Sequence, residues 1–214
     1  MKIAKENRAV CCLAFFTLAA VLAGCGPGFQ AGTDIARGRQ AMFMQDNPGA
    51  LGFFQSAAQV DPNYIYGTEL REGTLSFLGR AQYLNGQLAP ARDTLQQALA
   101  QHRTDHLARL YLGLTLARLG DRPSGLRDIQ AGIKGIGDFL NYITTAFANS
   151  FGQFWDPNRD IRKAVDSNLA MIAREGFDWP TLLSNGEALA LNFEQEQDRA
   201  RNQERQQIEM NQRR

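Results

Sequence analysis

Apolar residues recur every three or four positions along much of this chain, which is the spacing of one face of an α-helix. The clearest example is the face formed by Leu140, Ile143, Phe147, Phe151 and Phe154. This pattern predicts a helix from Asp138 to Trp155. A second face predicts a helix over 159–174, and a third pattern predicts a last helix that begins near Asn185. The fold class expected is therefore all-α.

The middle of the chain repeats itself at a spacing of 34 residues. Leu78-Gly79 aligns with Leu112-Gly113, and the turn residue Gly86 aligns with Gly120. Small, large and small residues then follow at helical spacing: Ala91, Leu95 and Ala98 in one copy, and Gly125, Ile129 and Gly132 in the next. A period of this length predicts stacked units of two helices each.

This pattern resembles the tetratricopeptide repeat (TPR), in which small residues let two antiparallel helices approach and large residues fill the space between them. The resemblance implies a short α-solenoid of about three helix pairs within 33–138, at about 31–64, 72–105 and 106–138. The first copy is diverged, with Arg37-Gly38 where Leu-Gly is expected. About seven extra residues near 64–71 predict a longer loop or an extra helical turn. Pro48, Pro90 and Pro123 fall at the predicted starts of the second helices, where proline is tolerated.

The first residues indicate export. Lys2, Lys5 and Arg8 precede an apolar run, and 22–25 (Leu-Ala-Gly-Cys) resembles the lipobox of bacterial lipoproteins. The resemblance implies a cleaved signal peptide over 1–24, a lipid on Cys25, and a lipidated N-terminus and linker over 25–32. It also implies a protein of the cell envelope, on the outer membrane and facing the periplasm. An ordinary signal peptide or an uncleaved anchor is the alternative.

Charge and composition restrict the chemistry. A formal net charge of +1 gives no basic excess for nucleic acid. After cleavage no free thiol would remain, and the four-residue spacing of His102 and His106 would suit a metal only on one continuous helix. The repeat places these histidines on either side of a turn. We therefore expect no metal, no cofactor and no catalytic residue.

The family resemblance places a partner-binding groove on the concave face of the stacked pairs. Its expected lining residues are Ile35, Arg39, Met42, Phe43, Arg80, Tyr83, Leu110 and Leu114. Apolar side chains with two arginines would suit an amphipathic segment that carries some negative charge. The alternative is that the aromatic helix 138–155 folds over this groove. Partner binding would then move to the convex face, the loop near 64–71 or the tail.

The remaining regions are predicted as C-terminal helices over 139–192 and a polar, charged tail over 193–214, either a solvated helix or disordered. The sequence favours a non-enzymatic lipoprotein scaffold that binds another envelope protein or peptide. Two alternatives stay open: an envelope enzyme such as a cell-wall hydrolase, and a structural subunit that oligomerises through 139–155. The oligomeric state is not determined by the sequence.

Overall fold

The structure is a computed structural model that describes residues 26–213. Within that range the fold is all-α, as predicted, with eight α-helices, one short 3-10 helix and one two-stranded β-hairpin. The helices are α1 (Pro27–Phe43), α2 (Asn47–Val60), α3 (Thr74–Leu84), α4 (Leu88–Gln101), α5 (His106–Arg118), α6 (Arg122–Ala146), α7 (Asp160–Ile172) and α8 (Trp179–Gln212). The predicted signal peptide and Cys25 lie outside the described residues.

Six of these helices form three antiparallel pairs: α1 with α2, α3 with α4, and α5 with α6. Each pair has the same close contact, in which a glycine of the first helix faces a large residue of the second. The three contacts are Gly38 with Phe54, Gly79 with Leu95, and Gly113 with Ile129. The first pair keeps this glycine although it lacks the preceding leucine, because the glycine is what lets the helices approach.

The turn inside each pair is also repeated. Gln45, Gly86 and Gly120 occupy the matching turn position, and all three have positive φ. Asp46 and Asp121 cap the following helices through their side chains and accept from the N–H groups of Gly49 and Ser124. The prolines Pro48, Pro90 and Pro123 lie at the second or third residue of α2, α4 and α6, in the first turn where they were expected.

A short antiparallel β-hairpin links the first two helix pairs. Its strands are β1 (Ile65–Tyr66) and β2 (Glu72–Gly73), with Ile65 opposite Gly73. The extra residues near 64–71 therefore form a loop and not an additional helical turn. This hairpin places the Glu72 side chain, which is 1% exposed, beneath the surface of the fold.

The structure corrects the boundary predicted near residue 138. Helix α6 runs without a break from Arg122 to Ala146, so no separate helix spans 138–155. The chain leaves α6 at Phe147 and forms the 3-10 helix Phe151–Phe154. Two glycines within this continuous helix allow close neighbours: Gly135 faces His106 and Gly137 faces Val165.

Two further boundaries are corrected. Helix α1 begins at Pro27, so most of the linker predicted over 25–32 is helical. Helix α8 begins at Trp179, capped by Asp178, six residues before the predicted start at Asn185. Pro180 starts this helix and does not belong to a loop, since proline fits the first helical turn.

The tail predicted as solvated from residue 193 is in fact buried over its first part. Phe193, Glu194, Gln197 and Ala200 are all buried along α8, and only the following turns, 202–212, are largely exposed. Leu182, Leu189 and Phe193 join the main hydrophobic core. Helix α8 is therefore an integral part of the fold. None of the helices described here has both the length and the apolar character needed to cross a bilayer.

Candidate functional site

The residues predicted to line a groove lie on α1, α3 and α5, the first helices of the three pairs. Seven of the eight are buried and Phe43 is half-buried. Ile35 and Met42 pack into the N-terminal core cluster, and Phe43 lies beside the Arg39 guanidinium, 5.4 Å from ring centroid to Cζ. The other residues of this set are brought together along one element, helix α8.

The later part of α8 contacts the first helix pair through Gln197 and Asp198. Arg39 donates from Nη1 to Oδ1 of Asp198 at 2.8 Å and from Nη2 to Oε1 of Gln197 at 3.2 Å. The Arg39 side chain is buried, whereas Asp198 is 37% exposed. This contact therefore lies at the edge of the filled surface, where water reaches one of its two partners.

The second and third helix pairs contact α8 further toward its start. Arg80 donates to Oε1 of Glu194 at 2.6 Å, and the Tyr83 hydroxyl donates to Oε1 of Glu187 at 2.5 Å. Gly186 faces Leu110 and Leu114, and a side chain at this position would contact the Leu114 methyl group at 3.0 Å. Helix α8 thus runs along the face formed by α1, α3 and α5.

This arrangement answers the question of whether the groove is open. The eight predicted side chains are covered by α8 or by the core, so they do not form an accessible binding surface in the folded chain. The covering element is also not the one expected, because the predicted helix 138–155 was the candidate. The first part of 139–155 lies on another side of α8, where Phe139 packs edge-on against Phe193 at 5.7 Å. Partner binding at this face stays a prediction that would require α8 to leave.

At the centre of the interface is a buried ionic cluster. Arg80, which is 0% exposed, lies between Glu72 at 3.0 Å and Glu194 at 2.6 Å. Its guanidinium also stacks over the Phe77 ring, 4.4 Å from the centroid. Removing such charges from water is costly, and the cost is recovered only while each charge keeps its partner.

The cluster contains a carboxyl group that titrates near neutral pH. The pKa of Glu72 is raised to about 7, first by burial and then by the negative charges of Asp105 and Glu194, against the opposing effect of Arg80 and Arg39. Both Glu72 carboxyl oxygens lack a hydrogen-bond partner of good geometry. We infer that Glu72 holds a proton over the acidic side of neutrality, because burial disfavours its charge and Arg80 is already paired with Glu194.

The C-terminal region holds α8 from the other side. Asp156 accepts from the backbone N–H groups of Ile161 and Arg162 and pairs with the Arg162 side chain at 2.9 Å. Arg199 donates to the backbone oxygen of Phe154 at 2.8 Å. A cavity of about 480 Å³ remains between α7 and α8, with Asp156 and Arg199 among its lining residues.

The two histidines that were considered as metal ligands lie at the ends of neighbouring helices. His102 follows the last residue of α4 and His106 begins α5, so they lie on either side of a turn. Asp105 caps α5 by accepting from the N–H of Ala108 at 2.8 Å. Burial lowers the pKa of His106 against the smaller opposing effects of Asp105 and Asp138. Residues 26–213 contain no group of three or more His, Cys, Asp or Glu side chains placed to hold a metal ion.

Several carboxylates that could in principle serve acid–base chemistry are engaged with other groups. Glu69 pairs with Arg201 at 3.3 Å, and Glu187 pairs with Arg118 at 2.6 Å. Glu72 and Glu194 share Arg80 but are buried, at 1% and 0% exposed. A substrate in solution cannot contact this last pair while α8 is in place.

The acidic residues of α8 are the part of the site that the sequence pattern did not reveal. Glu194, Gln197 and Asp198 were placed in a solvated tail because they are polar. The available signal was indirect: two arginines expected on the concave face require acidic partners when they are buried. Glu194 and Asp198 follow Leu191 by three and seven residues, which is the spacing of one helix face, so they were acidic candidates for such a contact.

Comparison of the chain with models of protein families, with curated proteins and with solved structures found no match in any of the three. The structure defines an all-α fold in which the last helix covers the face formed by α1, α3 and α5. The function that we propose next is argued from these features and from the resemblances of the sequence.

Proposed function

We propose that this chain is a non-enzymatic, membrane-anchored scaffold of the bacterial cell envelope that binds another envelope protein or peptide through a TPR-like body. One observation carries this proposal: the same glycine contact and the same left-handed turn position recur in three successive helix pairs. Recurrent units of this kind serve as rigid platforms for protein binding in the family that the sequence resembles. Assembly of an envelope or secretion machine is the role expected of such a platform.

The membrane anchor in this proposal rests on the lipobox-like residues that end in Cys25. Several acyl chains at about 0.8 kcal/mol per buried methylene would hold the protein on a bilayer. The outer membrane, facing the periplasm, is the site we favour, because Gly26 follows the cysteine where an aspartate would favour the inner membrane.

Helix α8 restricts where a partner can bind. Its first part fills the concave face, and its last turns, 202–212, extend into solvent with Ile208 and Met210 about half exposed. An exposed helix with isolated apolar side chains is suited to packing against a partner's groove. We place the partner's contact on this end of α8, which the sequence had offered as one of three alternatives to the groove.

The alternative of a cell-wall hydrolase would need two carboxyl groups facing a substrate cleft. Glu72 and Glu194, which share Arg80, are enclosed by the fold. This burial favours the scaffold over the hydrolase.

The proposal is tested in the full chain, expressed with its own N-terminal segment. A photo-reactive residue in place of Ile208 should yield a cross-linked product with a second envelope protein, identified by mass spectrometry. The matched control carries the same residue in place of Gln55, an exposed position of α2. Products at both positions or at neither would contradict a partner site on α8.

The anchor is tested separately by the variant Cys25→Ser, which should move the protein from the membrane fraction to the soluble fraction. An unchanged membrane fraction would show that the lipobox interpretation is wrong, whatever the cross-linking shows.

A further inference from the structure

The three antiparallel helix pairs give the fold two ends. One end holds the turns within the pairs, at 44–46, 85–87 and 119–121. The opposite end holds the start of α1, the β-hairpin 65–73 and the turn 102–105, and we call it the anchor end. Its members are adjacent in space, since Gly28 and Gly32 of α1 face the ring of Tyr64, the residue just before β1.

Helix α6 extends past the anchor end. Gly135 lies against His106, the first residue of α5, and marks the level at which this end begins. Eleven further residues of α6 follow, up to Ala146. At 1.5 Å per residue they project by about 16 Å. The segment that follows α6 is therefore also beyond the helix pairs.

The projecting segment carries an aromatic surface that reaches the β-hairpin. Phe147 and Phe151 stack with ring centroids 4.5 Å apart, and Tyr142 packs edge-on against Phe147 at 5.8 Å. These three rings and the hairpin residues Thr68 and Glu69 line one open cavity of about 450 Å³. Tyr142 is 62% exposed although it is a large aromatic residue.

The segment 139–155 contains no charged residue, in a chain of which 21% of residues are charged. Asp138 and Asp156 stand immediately outside it on either side. Aromatic side chains with a polar group, such as tyrosine and tryptophan, are enriched at the interface between a bilayer and water. A protein interface also uses aromatic residues, but arginine and a polar rim usually accompany them.

The position of the anchor points to the same occupant. Cys25 is two residues before Pro27, where α1 begins, so the chain between them spans about 7 Å at most. A lipid on Cys25 would hold the anchor end directly against the bilayer. Phe29, in the first turn of α1, is 68% exposed on this end.

We propose that the anchor end lies on the membrane, with the aromatic side chains of Tyr142, Phe147 and Phe151 inserted into the bilayer interface beside the lipidated N-terminus. This inference rests on the proposed lipid anchor. It fixes the orientation of the protein, because the turns at 44–46, 85–87 and 119–121 then point away from the membrane. Helix α8 also leaves the body at the anchor end, past Arg201 and Glu69.

The test uses the full chain in membranes that contain lipids with a nitroxide quencher on the acyl chain. An environment-sensitive fluorophore is attached at Tyr142→Cys and, as the matched control, at Met44→Cys. Met44 is 70% exposed and lies at the opposite end. The unsubstituted chain is treated with the same reagent to measure background labelling.

We expect the lipid quencher to remove most of the emission at position 142 and to leave that at position 44 unchanged. Equal quenching at both positions, or none at either in protein that stays in the membrane fraction, would overturn the orientation and leave the anchor standing. A label at 142 that is shielded from aqueous iodide but not quenched by lipid would assign the surface to a protein, such as a second copy, and would also overturn it. Absence of the unsubstituted chain from the membrane fraction would remove the anchor, and the orientation with it.

Discussion

Arg80 of α3 and Glu194 of α8 form an ion pair of 2.6 Å in which neither side chain has any exposure to solvent. The two residues are 114 positions apart in the sequence. The pair therefore ties the last helix to the second helix pair through the centre of the fold. Because water does not reach this pair, removing one of the two residues would leave the charge of the other buried and unsolvated.

The variant Arg80→Met should lower the free energy of unfolding by about 3–5 kcal/mol, since it leaves Glu194 and Glu72 buried without their cation. The matched control is Arg118→Met, which removes an arginine that pairs with Glu187 of α8 at 39% and 32% exposed. Exposed pairs contribute about 1 kcal/mol or less. Urea unfolding followed by circular dichroism measures both changes, and equal losses would show that α8 is not held by the buried pair.

Glu72 gives the stability a pH dependence with a defined sign. Its pKa is raised from 4.5 to about 7 in the folded protein, so the folded state binds this proton more tightly than the unfolded chain does. The contribution of Glu72 to the free energy of unfolding is therefore most favourable below about pH 4.5, and it decreases as pH rises through about 7. At 1.36 kcal/mol per pH unit the full loss is about 3 kcal/mol.

The variant Glu72→Gln isolates this effect, because glutamine keeps the shape and carries no charge at any pH. We expect urea unfolding between pH 5 and pH 8 to show that the free energy of unfolding of the variant increases relative to that of the parent as pH rises. A constant difference across this range would mean that Glu72 does not change its protonation there. The control Glu209→Gln, in the exposed end of α8, should leave the pH dependence of the parent unchanged.

The repeated helix pairs could be predicted because their determinants are local. Gly79 and Leu95 are 16 residues apart, and the turn residue Gly86 and Pro90 lie between them. Each contact can therefore be recognised within one copy and checked in the next. Gln45 is the exception, since nothing in its own residue type indicates the left-handed turn that the matching glycines revealed.

The course of α8 could not be predicted because its determinants are distant. Glu194 and Gln197 become buried only by meeting Arg80 and Arg39, which belong to other helix pairs. No apolar periodicity marks such a contact, and a polar segment alone resembles a solvated tail. The predicted groove residues were the complementary half of this interface, and matching their two arginines to the acidic residues of α8 requires the tertiary structure.

Glycine substitutions test the close approach inside the helix pairs. A Cβ on Gly113 would overlap the backbone N of Ile129 and the backbone O of Gly125, neither of which can rotate away. Gly113→Ala should therefore lower the free energy of unfolding by about 1–3 kcal/mol. Gly52→Ala is the control, because no atom lies within 4 Å of its added Cβ, and helix propensity should raise stability by up to about 1 kcal/mol. A melting temperature that rises in both variants would contradict the close packing of α5 on α6.

Exchanging glutamine and glycine at the shared turn position should change the free energy of unfolding in opposite directions in the first and second helix pairs. Gln45 has φ of 60° and Gly86 has φ of 74° at the same place in their helix pairs, and a side chain in this region costs about 1–2 kcal/mol. Part of that cost is offset by the greater freedom of glycine in the unfolded chain, so Gln45→Gly should raise the free energy of unfolding by about 0.5–1 kcal/mol. Gly86→Gln should lower it by a similar amount through the backbone alone, because no atom lies within 4 Å of the added Cβ. Thermal and urea unfolding of both variants measure the two changes, and shifts in the same direction would show that the two turns are not equivalent.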